Sequence, residues 1–203
     1  MRRRMMGKSD KYPNGVYILR MDGKLYTRSE WSTAWNDEAV GVALKTDNCR
    51  FVISLVDYDK TMWSKKGASD KIPGVTSTSD VPTAKTDYKG IENSAAIISF
   101  YGAGTDYAAG LCAEHTFKNG QKGYLGACGE WQEAFNNKDE INACMSLVRC
   151  DAIAGDEYYW VSTQWSDPFA FVIRWNDEYI SAHSKSWEYH LRPFAPLEDN
   201  NLI

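Results

Sequence analysis

Cysteine and histidine are the side chains of this sequence best suited to chemistry. The 203 residues include three histidines and five cysteines, the latter at positions 49, 112, 128, 144 and 150. Cys112 and His115 stand three residues apart on a predicted helix, a spacing that suits a metal ion. The further ligands that a closed zinc site requires are not evident. The pattern therefore favours core packing for this pair, and buried or free thiols for an odd number of cysteines.

Cys128 is the candidate nucleophile, because it precedes a predicted helix and a helix N-terminus stabilises a thiolate. Glu130 stands two residues later, and an acidic neighbour opposes that ionisation. His183 and His190 lie in an aromatic segment, where contact with a partner is a better interpretation than general-base catalysis. We therefore expect a binding protein rather than an enzyme, with no catalytic residue, no cofactor and no bound metal.

The aromatic segment itself is the most unusual feature of the composition. Positions 158–194 hold eleven of the chain's 27 aromatic residues. Two sets of side chains alternate along part of it, Phe171, Ile173 and Trp175 against Val172 and Arg174. Such alternation is typical of a β-strand, whose successive side chains point to opposite faces. A short hairpin turn is predicted next, near positions 176–178.

The elements that must support this segment are predicted upstream of it. Asp22-Gly23 separates two apolar runs and indicates a tight hairpin turn, because glycine accepts a positive φ. A second hairpin is predicted over residues 39–56, around a polar turn. Helical spacing begins near position 91, and two consecutive helices joined by a short polar turn are predicted at about 131–148.

Several of these motifs, in their order along the chain, resemble those of a known family. The motifs are Asn14-Gly15-Val16-Tyr17-Ile18, Asp22-Gly23-Lys24-Leu25-Tyr26, Ala39-Val40-Gly41-Val42, Gly123-Tyr124-Leu125-Gly126, Gly129-Glu130-Trp131, Tyr158-Tyr159-Trp160-Val161-Ser162-Thr163-Gln164, Ala170-Phe171 and Leu191-Arg192-Pro193-Phe194. With them the sequence resembles the C-type-lectin-fold variable proteins of diversity-generating retroelements, in the form found in gut bacteria and their tailed phages. The resemblance implies an α+β, C-type-lectin-like fold with an N-terminal β-hairpin region.

This reading divides the chain into five parts. They are a flexible basic tail at 1–10, an N-terminal β region at 11–63, a Ser-, Thr-, Gly- and Pro-rich loop or linker at 64–90, a C-type-lectin-like region at 91–197 and a tail at 198–203. In such proteins a reverse transcriptase copies a template repeat with errors at adenines. The resemblance implies that the segment varied in this way is about 160–194.

The resemblance also assigns residues of this segment to two sets. The implied framework is Trp160, Ser162, Thr163, Gln164, Phe171, Ile173, Trp175, Ile180, Lys185, Leu191, Arg192 and Pro193. The implied ligand-binding set is Trp165, Ser166, Asp167, Pro168, Val172, Arg174, Tyr179, Ser181, His183, Ser186, Trp187 and His190, and Tyr189 fits either set. Rigid aromatic side chains mixed with Ser, Asp and His are typical of a binding surface. Glu178 stands where the family pattern has a glycine.

One triplet in the segment suggests a metal. Trp175-Asn176-Asp177 is spelled like the triplet that supplies calcium ligands in sugar-binding C-type lectins. Calcium takes six to eight oxygen ligands, and the chain lacks the matching Glu-Pro-Asn or Gln-Pro-Asp loop. We therefore interpret the triplet as a hairpin turn.

Charge and hydropathy limit the partners. Residues 1–11 carry five of the 23 basic and one of the 27 acidic residues, so this tail is +4 and the remainder is −8. An acidic body argues against nucleic acid as a partner. No run of eighteen apolar residues predicts a membrane span, and the basic start lacks the apolar stretch of a signal peptide.

The partner that we expect is a cell-surface receptor protein or a glycan, and self-association, for instance as a homotrimer, is a second expectation. The absence of a predicted signal peptide favours a virion, such as a phage tail-fibre tip, over a bacterial cell surface. The alternative function is a structural virion or pilus-associated subunit, whose aromatic face is an oligomer interface.

Overall fold

The computed structural model describes residues 12–65 and 70–198. Within these ranges the chain folds into two mostly antiparallel β-sheets with helices packed against them, which confirms the predicted α+β class. The predicted basic tail at 1–10 lies outside the described residues, as does the predicted tail at 198–203 apart from Glu198.

Eleven strands form the two sheets of the described chain. They are β1 (Gly15–Arg20), β2 (Leu25–Tyr26), β3 (Ala39–Lys45), β4 (Arg50–Ser54), β5 (Tyr58–Met62), β6 (Tyr124–Leu125), β7 (Tyr158–Gln164), β8 (Phe169–Arg174), β9 (Tyr179–Ser184), β10 (Glu188–Leu191) and β11 (Pro193–Pro196). The first sheet has the order β2-β1-β3-β4-β11-β6, and the second has the order β5-β10-β7-β8-β9.

Both predicted N-terminal hairpins are confirmed. The turn between β1 and β2 closes with a 2.9 Å hydrogen bond from the Gly23 N–H to the Arg20 carbonyl, and Gly23 has a φ of 79°. Strands β3 and β4 pair from Gly41 opposite Ser54 to Lys45 opposite Arg50. The local turn signals thus determined the first four strands.

The last strand ties the N-terminal β region to the rest of the chain. Strand β11 pairs with β4 on one side and with β6 on the other. The rings of Phe194 on β11 and Phe51 on β4 stack, with centroids 4.5 Å apart. Strands β1 to β4 are therefore joined to the C-terminal part of the chain, because their sheet is completed by strands that lie far away in sequence.

The predicted helices are also confirmed. Helices α2 (Gly90–Tyr101) and α3 (Ala108–Glu114) follow a short α1 (Val81–Ala84), and the predicted consecutive pair forms α4 (Cys128–Asn136) and α5 (Lys138–Val148). The described part of residues 64–90 contains little regular structure besides α1. It is nevertheless packed into the core, because Ile72 and Val75 are buried against the second sheet and α2.

The second sheet packs against a hydrophobic core on each of its faces, which accounts for much of its aromatic content. Phe171, Ile173 and Trp175 of β8 and its turn face a core shared with the first sheet, α4 and α5. Val172 faces a second core, with residues of α2 and α3. The predicted alternation is confirmed, but Val172 is completely buried, so its predicted place in the displayed set was wrong. That assignment took one face of the sheet to be solvent-exposed along the whole strand.

Candidate functional site: an aromatic surface on the second sheet

Six side chains form a contiguous, partly exposed surface on the face of the second sheet that also carries Val172. We call this group the aromatic surface, and its members are Tyr158, Arg174, Tyr179, His183, Trp187 and Tyr189. They come from β7, β8, β9, β10 and the turn between β9 and β10, so that strand register brings them together: Tyr158 lies opposite Arg174, and Arg174 lies opposite Tyr179.

Tyr158 is the centre of the ring contacts. Its ring centroid lies 4.9 Å from that of His183, 5.3 Å from that of Tyr189 and 6.2 Å from that of Tyr179. Trp187 extends the group through His183, at 5.4 Å. The side chains therefore support one another laterally, and the two most exposed rings stand at the outside: Trp187 is 54% exposed and Tyr179 is 45% exposed.

Arg174 is held in place by three neighbours. Its guanidinium lies 5.4 Å from the ring centroid of Tyr158 and 5.0 Å from that of Tyr179. It also donates two hydrogen bonds to the Asp177 carboxylate, at 2.9 and 2.6 Å. These bonds to Asp177 raise the pKa of Arg174 further above its usual value. Arg174 thus fixes the two tyrosines and offers a partner a largely neutralised cation.

His183 and Tyr189 form the polar pair of the aromatic surface. The His183 Nδ1 and the Tyr189 hydroxyl are 2.6 Å apart. Burial lowers the pKa of His183 and raises the pKa of Tyr189, so both side chains are neutral at pH 7. The pair leaves the surface without a free charge at its centre.

Four more residues of the predicted set form the rim at one end of this surface. Ser166, Asp167 and Pro168 belong to the loop between β7 and β8, and Ser186 belongs to the turn between β9 and β10. The loop and the turn are joined by a 2.9 Å hydrogen bond from the Lys185 N–H to the Pro168 carbonyl. Ser166 is half-buried, whereas Asp167, Pro168 and Ser186 are exposed.

The remaining predicted residues are placed differently. Ser181 lies on the aromatic face between Tyr179 and His183, where it is half-buried opposite Val172. Trp165 packs on the other face, with its ring 5.3 Å from that of Phe171. His190 is also outside the aromatic surface, because its Nδ1 lies 3.8 Å from the Asp57 carboxylate. The structure therefore does not bring Trp165 and His190 together with the other predicted residues.

Tyr158 was missing from the predicted set. The predicted variable segment began at about position 160. Tyr158 precedes Trp160 by two residues and therefore lies on the same face of the strand. The alternation of Tyr158, Tyr159 and Trp160 was the signal that was available. The alternation that was used for β8 places Tyr158 on the aromatic face when it is also applied to β7.

The predicted framework lies under the surface. Every member of that set is buried, except that Ile180 is half-buried. Several members bind through polar atoms: the Trp160 Nε1 donates to the Thr61 carbonyl at 2.9 Å, and the Thr163 hydroxyl donates to the Asp87 carboxylate at 2.7 Å.

Lys185 joins the segments around the rim. Its ammonium donates to the Asp70 carbonyl at 2.7 Å and to the Gln164 Oε1 at 3.0 Å. It also lies 4.4 Å from the ring centroid of Trp63. Because the side chain is fully buried, desolvation lowers its pKa to about 8. Lys185 thus ties residues 70, 164 and the rim turn together.

The cysteines have the environment of inert core residues. Cys128 and Cys112 are completely buried, and burial raises the pKa of Cys128 to about 12. His115 is engaged on both ring nitrogens, 3.0 Å from the Ser54 hydroxyl and 3.0 Å from the Tyr58 hydroxyl. The predicted core packing of Cys112 is confirmed. Among the described residues no cluster of three or more His, Cys, Asp and Glu side chains is arranged to hold a metal ion.

The suspected calcium triplet forms the turn between β8 and β9, as predicted. Asn176 donates from its side chain to the Asp156 carboxylate at 2.8 Å, and Asp177 is bound to Arg174. Glu178 adopts a φ of 60°, the left-handed conformation for which glycine is the usual residue. Its carboxylate forms a 2.7 Å ion pair with Lys85, which holds the turn against the loop before α2.

Comparison with known proteins gives one informative similarity. No protein-family model matches the chain, and no curated protein matches it. The crystal structure of a fimbrial protein from Bacteroides ovatus is similar, with a TM-score of 0.61 at 14% sequence identity. The similarity covers 90% of this chain and 48% of the fimbrial chain, so this chain spans about half of the other protein's length. At this identity the similarity concerns the fold alone.

Proposed function

We propose that this chain is a non-enzymatic binding protein that presents the aromatic surface to a cell-surface receptor protein or a glycan, on a C-type-lectin-like fold. The observation that carries the proposal is the contrast between two sets of side chains in one sheet. The framework set is buried, whereas Tyr179 and Trp187 expose about half of their area. Exposed large aromatics clustered on rigid strands are the anchors that binding surfaces use.

The place of display is the outer surface of a virion or of a bacterial cell. The resemblance of the sequence to retroelement-variable proteins supports a phage tail-fibre tip. The structural neighbour is a fimbrial protein, which supports an adhesin at a cell surface. Across the described ranges every helix is too short or too polar to cross a membrane. Both locations would bring the aromatic surface into contact with another cell.

Binding is tested with intact gut-bacterial cells and a glycan array as probes. We expect Tyr179→Ala and Trp187→Ala each to weaken attachment by about thirtyfold, the equivalent of the 2 kcal/mol typical of a hot-spot residue. The matched control is Phe100→Ala in α2, which removes an aromatic side chain of similar exposure whose ring contacts Tyr101 rather than a member of the aromatic surface. Equal attachment of all three variants and the unchanged protein would place the binding site elsewhere.

The retroelement part of the proposal has a genomic test. We expect a reverse-transcriptase gene near this gene, together with an adenine-rich near-copy of the codons for about residues 160–194. Differences between the two copies should fall where the template has adenine. A neighbourhood that lacks both would reduce the proposal to a binding protein with a fixed surface.

A structural role in a pilus or virion is the second candidate, and the fimbrial neighbour favours it. In that case the aromatic surface would be buried between copies of the chain, as a homotrimer for example. Cross-linking of the purified protein followed by mass spectrometry separates the two functions. Cross-links between two copies that are lost in Trp187→Ala favour the structural role, and attachment to a probe by a protein without such cross-links favours display.

A further inference from the structure

The edges of the two sheets differ in how well they are protected from pairing with another chain. An exposed edge strand invites a further strand, and proteins protect edges by making them short, charged, bulged or covered. In the first sheet the edge strands β2 and β6 have two residues each. Strand β6 is also covered, because the Ser94 hydroxyl of α2 lies 2.9 Å from the Leu125 nitrogen and accepts its hydrogen.

In the second sheet the edge strand β5 is protected by other means. It carries two exposed charged residues, Asp59 and Lys60, at its centre. Its pairing with β10 is interrupted by a register shift between Tyr189 and Leu191. Charge and irregularity are two of the devices that discourage a further strand.

Among the described residues, β9 is the sheet edge that has none of these devices. Its six residues, Tyr-Ile-Ser-Ala-His-Ser, include no proline and no Asp, Glu, Lys or Arg. They pair with β8 over the full length from Tyr179 to Ser184 without a register shift. No other described segment forms a ladder with the outer edge of β9. Within the described part of the chain, β9 is therefore a regular edge strand without a bulge and without a pairing strand on its outer side.

We propose that β9 pairs with β9 of a second copy of this chain, antiparallel and about a two-fold axis at Ser181. The side chains of β9 favour a second copy of β9 as the strand that pairs with this edge. A strand with a charged centre would meet the same charge in its copy, whereas β9 has no such charge. An isologous contact must be self-complementary in this way.

The side chains fit this register. Pairing about Ser181 places Tyr179 opposite His183 of the second copy, and Ile180 opposite Ala182 of the second copy. On one face of the joint sheet the Tyr179 ring can stack on the His183 ring of the second copy. On the other face Ile180 packs against the smaller Ala182 of the second copy. The two Ser181 side chains meet at the axis, where small residues leave room.

The two-fold axis is normal to the sheet, and this has a consequence for the aromatic surface. The joint sheet would have ten strands, and both aromatic surfaces would lie on the same side of it. Two linked surfaces bind a repetitive partner more tightly than one, because the second contact is intramolecular. The pairing itself rests on β9 alone and does not require the proposed function.

The test uses charge at the axis and the full chain. Sedimentation equilibrium should show a dimer of the unchanged protein that dissociates on dilution. Ser181→Lys and Ser181→Glu should each be monomeric, because two equal charges would be opposed at the axis, and an equimolar mixture of the two should recover the dimer mass. The matched control is Thr61→Lys, the same kind of change on the protected edge strand β5, which should dimerise like the unchanged protein.

Three results would overturn the proposal: a monomer or trimer for the unchanged protein, a dimer for Ser181→Lys alone, or a monomeric mixture. Hydrogen exchange of the unchanged protein provides a check that needs no variant. Backbone amides of β9 should exchange more slowly at high than at low protein concentration, while those of β5 should not change. Equal exchange of β9 at both concentrations would also overturn it.

Discussion

Two tryptophans of the second sheet, twelve residues apart, should respond in opposite ways to truncation. Trp175 is 2% exposed and its ring centroid lies 5.9 Å from that of Trp131. Its indole Nε1 donates to the Asn142 Oδ1 at 3.1 Å. Trp187 is 54% exposed and contacts His183 at its edge. The first belongs to the central core, and the second belongs to the aromatic surface.

The magnitudes follow from burial. Trp175→Ala removes a buried aromatic ring and leaves a cavity, which costs about 3 to 5 kcal/mol of the free energy of unfolding. Trp187→Ala removes a ring that is already half solvated, and surface substitutions of this kind change stability by about 0.5 kcal/mol or less. With a urea m-value of about 2 kcal/mol per M, a loss of about 4 kcal/mol lowers the unfolding midpoint by about 2 M.

Urea unfolding followed by far-UV circular dichroism measures both midpoints. We expect a large decrease for Trp175→Ala and a midpoint close to that of the unchanged protein for Trp187→Ala. If Trp187→Ala loses as much stability as Trp175→Ala, Trp187 is core and the aromatic surface is not a display surface. If Trp175→Ala leaves the midpoint unchanged, the assignment of the buried framework is refuted.

Three further outcomes are expected from the same protein. The thiols of Cys112, Cys128 and Cys144 are buried, and burial raises their pKa values. A disulfide reagent at pH 8 should therefore modify them only after the protein unfolds. Rapid reaction of these thiols in the native protein would contradict their burial. A strong chelator should leave the melting temperature unchanged, because the side chains of the turn at 176–177 are bound to protein groups, and a decrease that calcium restores would contradict the turn assignment. The pKa of Lys185 is lowered to about 8 in the folded protein, from 10.5. Between these two pH values the unfolded chain binds more protons than the folded chain, so the free energy of unfolding rises with pH. We expect this rise in the unchanged protein but not in Lys185→Met. A stability difference between these two proteins that stays constant from pH 8 to 10 would show that Lys185 is not desolvated.

The sequence was sufficient where structure is determined locally. The turn at Asp22-Gly23 and the helical spacing that became α2, α4 and α5 are short-range signals, and each was found in the structure. Strand β11 has four residues, two of them proline, and pairs with β4 across some 140 positions of the chain. Nothing near it in sequence indicates that pairing, which is why the N-terminal β region was predicted as a separate part.

The difference between local signals and long-range packing also explains why Val172 and His190 were assigned to the displayed set. Alternation along a strand assigns residues to a face, but it does not say what covers that face. Arg174 and Val172 share one face of β8, and Arg174 is partly exposed while Val172 is buried beside residues of α2 and α3. His190 was predicted for display, yet it lies near Asp57, which connects β4 of the first sheet to β5 of the second. Burial of these residues depends on packing between distant elements, which no local pattern contains.

The supporting hydrogen bonds of the framework do not depend on the side chains of the aromatic surface. Framework side chains bind backbone atoms of distant segments: Lys185 binds the Asp70 carbonyl, Gln164 binds both polar backbone atoms of Ile72, and Arg192 binds the Ser54 carbonyl. Backbone atoms are present whatever side chain a neighbouring codon encodes.

Variation is more constrained where displayed side chains bind one another. Arg174 depends on Asp177 and on two tyrosine rings, and His183 depends on Tyr189. Residues in direct contact do not contribute additively to stability, so a change in one member of such a pair alters the effect of a change in the other. Trp187 has no hydrogen-bonded partner through its side chain among the described contacts, and so it can change with the smallest effect on its neighbours. The most freely variable positions are therefore at the rim and at Trp187, and the least free are the pairs at the centre of the aromatic surface.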